Sequence, residues 1–229
     1  MTFGSVFGRT FSPTFQPHSQ AVASSGYTTW WTLDGAITSC VAAWQAKGVA
    51  SYAASLDNLT GDATYDLVEK NGEVSWSTDD GWIGGSGKYF DTGLYACPSG
   101  ESWSYIIKAS NLYYSTNIIF GSYVGAKDEY ALICVSTGIR ADNGEIQYLD
   151  TSKPTSGVFS LAHTKYYRDG NYVGTSAVSV SKGDGSSVHI LSRPDGSFSS
   201  NAKVQALAIY NSELTTQNIA DLTTAINAL

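Results

Sequence analysis

The chain has 229 residues and a formal net charge of -7, from 13 Lys+Arg against 20 Asp+Glu. At this length, with 42% hydrophobic and only 14% charged residues, it can bury a sizeable core, which argues against wholesale disorder. The acidic balance and the lack of a basic run argue against a phosphate-tracking nucleic-acid binder and against docking on an anionic bilayer, and no stretch approaches the ~20 apolar residues of a membrane span.

Residues 1–28 form a region of their own, rich in Phe, Ser, Thr, Gly and Pro, with Arg9 as its one charge. Phe3, Phe7, Phe11 and Phe15 recur every fourth residue. Gly4, Gly8, Pro13 and Pro17 oppose a helix. On an extended chain the same spacing puts all four rings on one side. Burying each ring is worth roughly 1.5–3 kcal/mol, so the arm is expected to pack on its own domain, on a sister subunit or on another protein. It has no basic patch followed by an apolar core, so it does not read as a secretory signal.

Residues 29–229 read as one domain. Ser39 to Gln45 forms a short strand or helix, and Asn58 to Gly61 a turn. From Trp76 the texture is β: WSYIIK at 103–108, NIIFGSY at 117–123, YALICV at 130–135, GVFSLAH at 157–163, SVHILS at 187–192 and VQALAIY at 204–210. Turns separate the runs, and Asp169-Gly170 between KYYR and NYVG predicts a type I′ hairpin. Ile219, Leu222, Ile226 and Leu229 then recur at three or four, which predicts a one-sided C-terminal helix with Thr215 as N-cap. Many short strands with regular turns indicate an all-β sandwich or jelly roll. Cys40, Cys97 and Cys134 cannot pair off and show no CxxC spacing, so buried free thiols made in a reducing compartment are expected.

Several stretches, in order, resemble the laminin-G-like, concanavalin-A-like lectin and glucanase sandwich. They are Leu56 to Gly61 with Ala63 to Leu67, Trp82 to Gly93, Ser102 to Lys108, Tyr166 to Gly174, Val188 to Leu191 and Val204 to Leu222. Leu191 and Ser192 stand where that family usually has Gly. The resemblance implies a two-sheet jelly roll with an extended N-terminal arm and a short C-terminal helix; it does not by itself assign a function. A narrower stretch, Trp30 to Ile37 followed by Cys40 to Ala50, resembles uncharacterised tailed-phage proteins in which such a segment precedes a laminin-G-like sandwich. This second resemblance implies a virion protein made in the host cytoplasm, with capsid or tail proteins as partners.

Chemistry is sparse. The glutamates Glu69, Glu73, Glu101, Glu129, Glu145 and Glu213 do not show the alternate-position carboxylates of glucanases of this fold. Asp79-Asp80 reads as a solvated turn. His18, His163 and His189 are too dispersed for a metal cluster, and no G-x-S-x-G nucleophile pattern occurs. The laminin-G-like resemblance implies calcium held by rim-loop oxygens, with Asp128, Asp142, Asp184 and Asp195 as candidates and solvated turn residues as the alternative. For glycans, a ring platform beside planar polar groups is required. Tyr113, Tyr114, Tyr166, Tyr167 and Tyr172 are the candidates, because strand alternation turns one ring of each adjacent pair outward.

The resulting expectation is a non-enzymatic phage virion protein, a capsid decoration or a tail or fibre component. Phe3, Phe7, Phe11 and Phe15 would anchor it, and the sandwich, displayed as a homo-oligomer, would hold host glycans multivalently. The alternative is a stand-alone lectin, followed by a glycosidase with diverged carboxylates.

Overall fold

A computed structural model describes residues 28–95, 102–124, 127–142, 147–175 and 186–229. These form two antiparallel sheets and two α-helices. In chain order the strands are β1 (Cys40–Gln45), β2 (Val68–Lys70), β3 (Ser75–Ser77), β4 (Gly81–Ile83), β5 (Tyr89–Asp91), β6 (Ser104–Ser110), β7 (Asn117–Val124), β8 (Lys127–Val135), β9 (Gly138–Asp142) and β10 (Gln147–Asp150). They continue as β11 (Ser156–Ala162), β12 (Lys165–Arg168), β13 (Asn171–Thr175), β14 (His189–Ile190) and β15 (Lys203–Tyr210). The helices are α1 (Tyr52–Leu56) and α2 (Thr216–Asn227).

The first sheet runs β13-β12-β11-β6-β15-β4-β3, with β1 also paired to β15; the second runs β10-β9-β8-β7-β14-β5-β2. The expected all-β two-sheet sandwich with a short C-terminal helix is therefore the observed one. The stretch expected as strand or helix is strand β1. Asp169 (φ 50) and Gly170 (φ 77) both take the left-handed backbone that the predicted hairpin turn requires.

Alternation explains how one sheet has two cores. On β6, Tyr105, Ile107 and Ala109 point between the sheets while Ile106 points outward. On β15 a bulge at Gln205 shifts the register between Val204 and Ala206. Val204, Leu207 and Ile209 therefore face inward, and Ala206, Ala208 and Tyr210 outward. The bulge also divides one edge of β15 between two partners: Lys203 and Val204 pair with β4, and residues from Ala206 onward pair with β1. Gly81 sits at this junction, where a Cβ would collide with the Val204 carbonyl.

Between the sheets lie Trp44, Trp82, Phe90, Phe120 and Tyr130, all buried. Tyr105 meets Phe120 at 4.6 Å and Tyr130 at 5.3 Å, both edge-to-face. The indole N–H groups are satisfied: Trp44 donates to the Tyr65 carbonyl at 2.9 Å and Trp82 to Ser55 Oγ at 2.9 Å.

The outer face of the first sheet carries the second core. Thr215 caps α2 in a capping box with Asn218. Ile219, Leu222, Ala225 and Ile226 then lie against Ile106, Val158, Tyr167 and Ala208, with Trp30, Leu33 and Ile37 closing the same layer. Two lysines hold the far end of the helix. Lys108 Nζ donates to the Ile226 carbonyl at 3.1 Å and Lys47 Nζ to the Leu229 carbonyl at 2.8 Å, where the helix dipole favours a cation.

This layer corrects the tyrosine expectation at 166–167. The two rings do point to opposite faces, but both are buried. Tyr166 lies between the sheets, stacked on Tyr148 at 4.8 Å, and Tyr167 lies under α2, with its hydroxyl 3.0 Å from Thr216 Oγ1. Tyr113 and Tyr114 are not on a strand at all but in the loop joining β6 to β7. Cys134 is buried as expected, whereas Cys40 is only half-buried; burial pushes each thiol up to about 12, although Cys40 also donates to the Ala42 carbonyl. Cys97, His18 and the arm phenylalanines Phe3, Phe7, Phe11 and Phe15 lie outside the described residues.

Candidate functional site

With one sheet face closed by α2, the surfaces left for chemistry are the outer face of the second sheet and the loops at the ends of the sandwich. On the second sheet, Phe90, Ile190, Ile139 and Ala141 face the inter-sheet core, so Asp91, His189, Arg140 and Asp142 face outward. Cross-strand pairing puts Asp91, His189, Gly121, Ala131 and Asp142 in one row across five strands. Gly121 must be small, since a Cβ there would reach Ala131 Cβ at 2.6 Å.

At one end of this row Ser187 Oγ donates to Asp91 Oδ1 at 2.5 Å. His189 Nδ1 lies 2.9 Å from the Ser187 carbonyl, and its Nε2 lies 3.7 Å from Asp91. The Tyr89 ring tilts against the imidazole at 5.4 Å, and Lys70 Nζ lies 3.4 Å from Asp91 Oδ2. Burial pushes the Asp91 carboxyl up, but the bonds from Ser187 and Gly93, with His189 and Lys70 close by, hold it below the usual carboxylate value. Burial keeps His189 below its usual value against the pull of Asp91. Serine, histidine and aspartate meet here, yet the hydroxyl is bonded to the carboxylate and not to the imidazole. The histidine is therefore not placed to take the proton that would make Ser187 a nucleophile.

Of the calcium candidates, the two whose side chains are described, Asp142 and Asp195, are each already engaged. Asp142 is buried with Arg140 Nε 2.9 Å from its Oδ2, a cation already in the place an ion would take. Asp195 accepts from Ser197 N at 2.8 Å and Ser197 Oγ at 2.6 Å, and these bonds lower its carboxyl. Asp128 is on β8, its side chain outside the described residues, as is all of Asp184. Among the described residues no group of three or more His, Cys, Asp or Glu could hold a metal ion, so those residues do not fit a calcium site. Asp79-Asp80 lies in the β3–β4 turn, where Asp80 pairs with Lys203 at 2.8 Å. His163 is in the β11–β12 turn beside Glu213. A cleft of about 340 Å³ is lined by Lys47, Lys108, Gln205 and Asn227, but its two lysines are the ones that hold the end of α2.

The third surface is a rim built from three loops, 111–116, 151–155 and 191–201. Asn111 Nδ2 donates to the Asn201 carbonyl at 2.9 Å, and Ile118 N to the Phe198 carbonyl at 3.0 Å. Leu112 N donates to the Thr155 carbonyl at 3.1 Å, and the Tyr114 hydroxyl is bonded to the Pro154 carbonyl. Within this fastened rim Tyr113 is 65% exposed and Phe198 44%. Asn117 Nδ2 donates to the Tyr113 carbonyl at 3.0 Å. The Arg193 guanidinium lies over the Phe198 ring at 4.3 Å, and Lys153 Nζ lies 6.0 Å from the Tyr114 ring centre.

Of the five candidate tyrosines, the rim brings Tyr113 and Tyr114 together. Tyr166 and Tyr167 are closed off. Tyr172 is exposed but sits on edge strand β13, its ring against Tyr167 and its hydroxyl 2.6 Å from Thr175 Oγ1. Sequence reasoning missed Phe198, Arg193 and Lys153. The signal that could have found two of them is the Pro194-Asp195-Gly196 turn, which sets Arg193 and Phe198 on either side of a tight reversal. Ser187, His189 and Asp91 gave no local signal, because nearly a hundred residues separate Asp91 from the other two.

No protein-family model matches the sequence, and no curated protein matches it. Solved structures do. Trypanosoma rangeli sialidase superposes with a TM-score of 0.58 at 14% identity, covering 82% of this chain and 33% of the sialidase. Domain 4 of AbnA, a GH43 extracellular arabinanase from Geobacillus stearothermophilus, solved in complex with arabinotriose, superposes with a TM-score of 0.56 at 16% identity, covering 80% of this chain and 98% of that one. The binding domain of botulinum neurotoxin DC, in complex with rat synaptotagmin II, gives 0.53 at 14% identity, covering 82% of this chain and 52% of that one. The chain thus spans a third of the sialidase's length. At these identities the likeness is one of fold, a lectin-like β-sandwich. The comparison also corrects the expectation of a non-enzymatic protein: a sialidase and a domain of an arabinanase, both enzymes by name, are among the structures that share this fold. Among the described residues no helix is long and apolar enough to cross a membrane.

Proposed function

We propose that this protein is a glycan-binding β-sandwich whose binding surface is the rim of loops 111–116, 151–155 and 191–201. The observation that carries this reading is the pair of exposed rings, Tyr113 and Phe198, on loops joined by the Asn111 side chain at the Asn201 carbonyl and tied to their surroundings through Leu112 N and the Phe198 carbonyl. A sugar's C–H face stacks on such a ring, and fixed polar groups beside it read the hydroxyls. Asn117 and the loop carbonyls supply those groups. The arabinanase domain was solved with arabinotriose and one of the sialidase structures with sialic acid, which supports a saccharide as the ligand class. The experiment is a glycan array with the intact protein, Tyr113→Ala and Phe198→Ala. Glycan signals that vanish in both variants support the rim; signals that survive in both overturn it.

For its setting we propose a tailed-phage particle, in which the protein is made in the host cytoplasm, joins a capsid or tail through residues 1–28, and displays its sandwich in multiple copies. The sequence stretch Trp30 to Ala50 and the four-phenylalanine arm support this reading. A variant lacking residues 1–20 is expected to stay folded and be left out of particles. Incorporation of that variant would count against the arm as anchor.

A further inference from the structure

We infer that the cleft beside the C-terminal end of α2 binds a small oxyanion, a phosphate or sulfate group, between Lys47 and Lys108. This is a second ligand site and does not depend on the rim reading. The cleft measures about 340 Å³, with Ser110, Ser156, Gln205 and Asn227 among its walls beside the two lysines. That volume is at the lower end of the range for small-molecule sites, so the ligand is small.

The positive charge in the cleft exceeds what the fold sets against it. Lys47 Nζ donates to the Leu229 carbonyl at 2.8 Å, and Lys108 Nζ lies 3.1 Å from the Ile226 carbonyl and 3.5 Å from that of Asn227. These partners are dipolar oxygens. A helix C-terminus presents roughly half a negative charge, against two whole positive ones. Even an α-carboxylate at Leu229 would meet Lys47 and leave Lys108 facing carbonyls alone. No acidic side chain lines the cleft. Asp169, which borders Gly157, is engaged by Val158 N at 2.9 Å. Burial, and then the neighbouring Lys47, hold the Lys108 ammonium below its ordinary value. An anion between the two lysines relieves that repulsion.

The cleft also has donors to offer. An ammonium carries three; the helix end takes one from Lys47 and at most two from Lys108. Ser110 and Ser156, paired across β6 and β11, add hydroxyls at the wall. Several donors converging from two cations suit the oxygens of a tetrahedral anion.

The test is lysine labelling of the full-length protein with an amine-reactive acylating reagent, read by peptide mass spectrometry. Inorganic phosphate and sulfate are each exchanged for sodium chloride at constant ionic strength. At least one of them is expected to slow labelling of Lys47 and Lys108 about tenfold once it stands at roughly ten times its dissociation constant. Lys153 and Lys203 should label as before. Glucose 6-phosphate compared with inorganic phosphate shows whether the group is taken free or on a sugar. In Lys47→Gln the protection of Lys108 should largely disappear, and Lys47→Arg should restore it. Each variant is compared with itself in chloride, which separates anion binding from any fraying of α2. Labelling that both anions leave unchanged, a slowing that chloride matches, a slowing shared by Lys153, or protection of Lys108 that survives Lys47→Gln overturns the inference. The rim reading stands or falls separately, because inorganic anions need neither Tyr113 nor Phe198.

Discussion

The outer face of the first sheet and the loop rim both offer tyrosines, and the molecule treats them in opposite ways. Tyr167 sits on a regular strand, and a twelve-residue helix lies over it. Tyr113 sits on a short loop held by Asn111, Leu112 and Tyr114, each hydrogen-bonded to a carbonyl of a neighbouring loop, without being covered. One ring is part of a core and contributes stability; the other is rigidly mounted in water and contributes little to the fold. Exposure held by a fastened backbone is what separates a presented ring from an ordinary strand tyrosine.

Breaking the covered side should show the largest effect. Leu222→Ala removes a fully buried side chain from between α2 and the sheet and is expected to cost about 2–5 kcal/mol in urea unfolding. The matching change on the rim, Phe198→Ala, should alter stability by less than about 0.5 kcal/mol. It should instead weaken glycan binding at least about tenfold, or roughly 1.4 kcal/mol. A large stability loss in Phe198→Ala would show that the ring is structural. Thr215→Ala removes the cap that starts α2 and should cost about 1 kcal/mol without changing binding.

The smallest effect separates the polar row of the second sheet from the rim. His189 is held below its ordinary value by burial, so the unfolded chain binds its proton more readily than the folded one does. That contribution to stability is full above the unfolded value near pH 6.5 and is lost as pH falls below it. Asp91 is held low as well, and its contribution is lost on further acidification through the carboxylate range. Unfolding measured from pH 7 to pH 5 should show stability falling, with a flatter slope in His189→Gln. Rim binding in the same window should not follow His189→Gln, because His189 is on another surface.

Much of the fold was legible because its signals are local. The hairpin at Asp169-Gly170, the cap at Thr215 and the helical stripe of Ile219, Leu222 and Ile226 each lie within a few residues of one another, and all are observed. The candidate site was legible only in part. Tyr113 and Tyr172 are exposed, but the alternation rule that selected the tyrosine pairs is silent about a second layer. Burial of Tyr167 depends on a helix some fifty residues further along the chain. The pairing of Arg193 with Phe198, and of loop 111–116 with loop 191–201, is likewise set by which strands lie side by side, and β14 and β15 reach β7 and β6 only through the folded sheets.

The central claim is that the fastened rim presents its rings to a sugar. The most direct measurement is the solution structure by NMR of the intact protein titrated with the best-bound saccharide of the array. Shift changes concentrated at Tyr113, Asn117, Arg193 and Phe198, and absent from the Asp91–His189 row, are the predicted result. Changes centred on Asp91, Ser187 and His189, with the rim unmoved, would contradict the account and move the functional surface to the outer face of the second sheet.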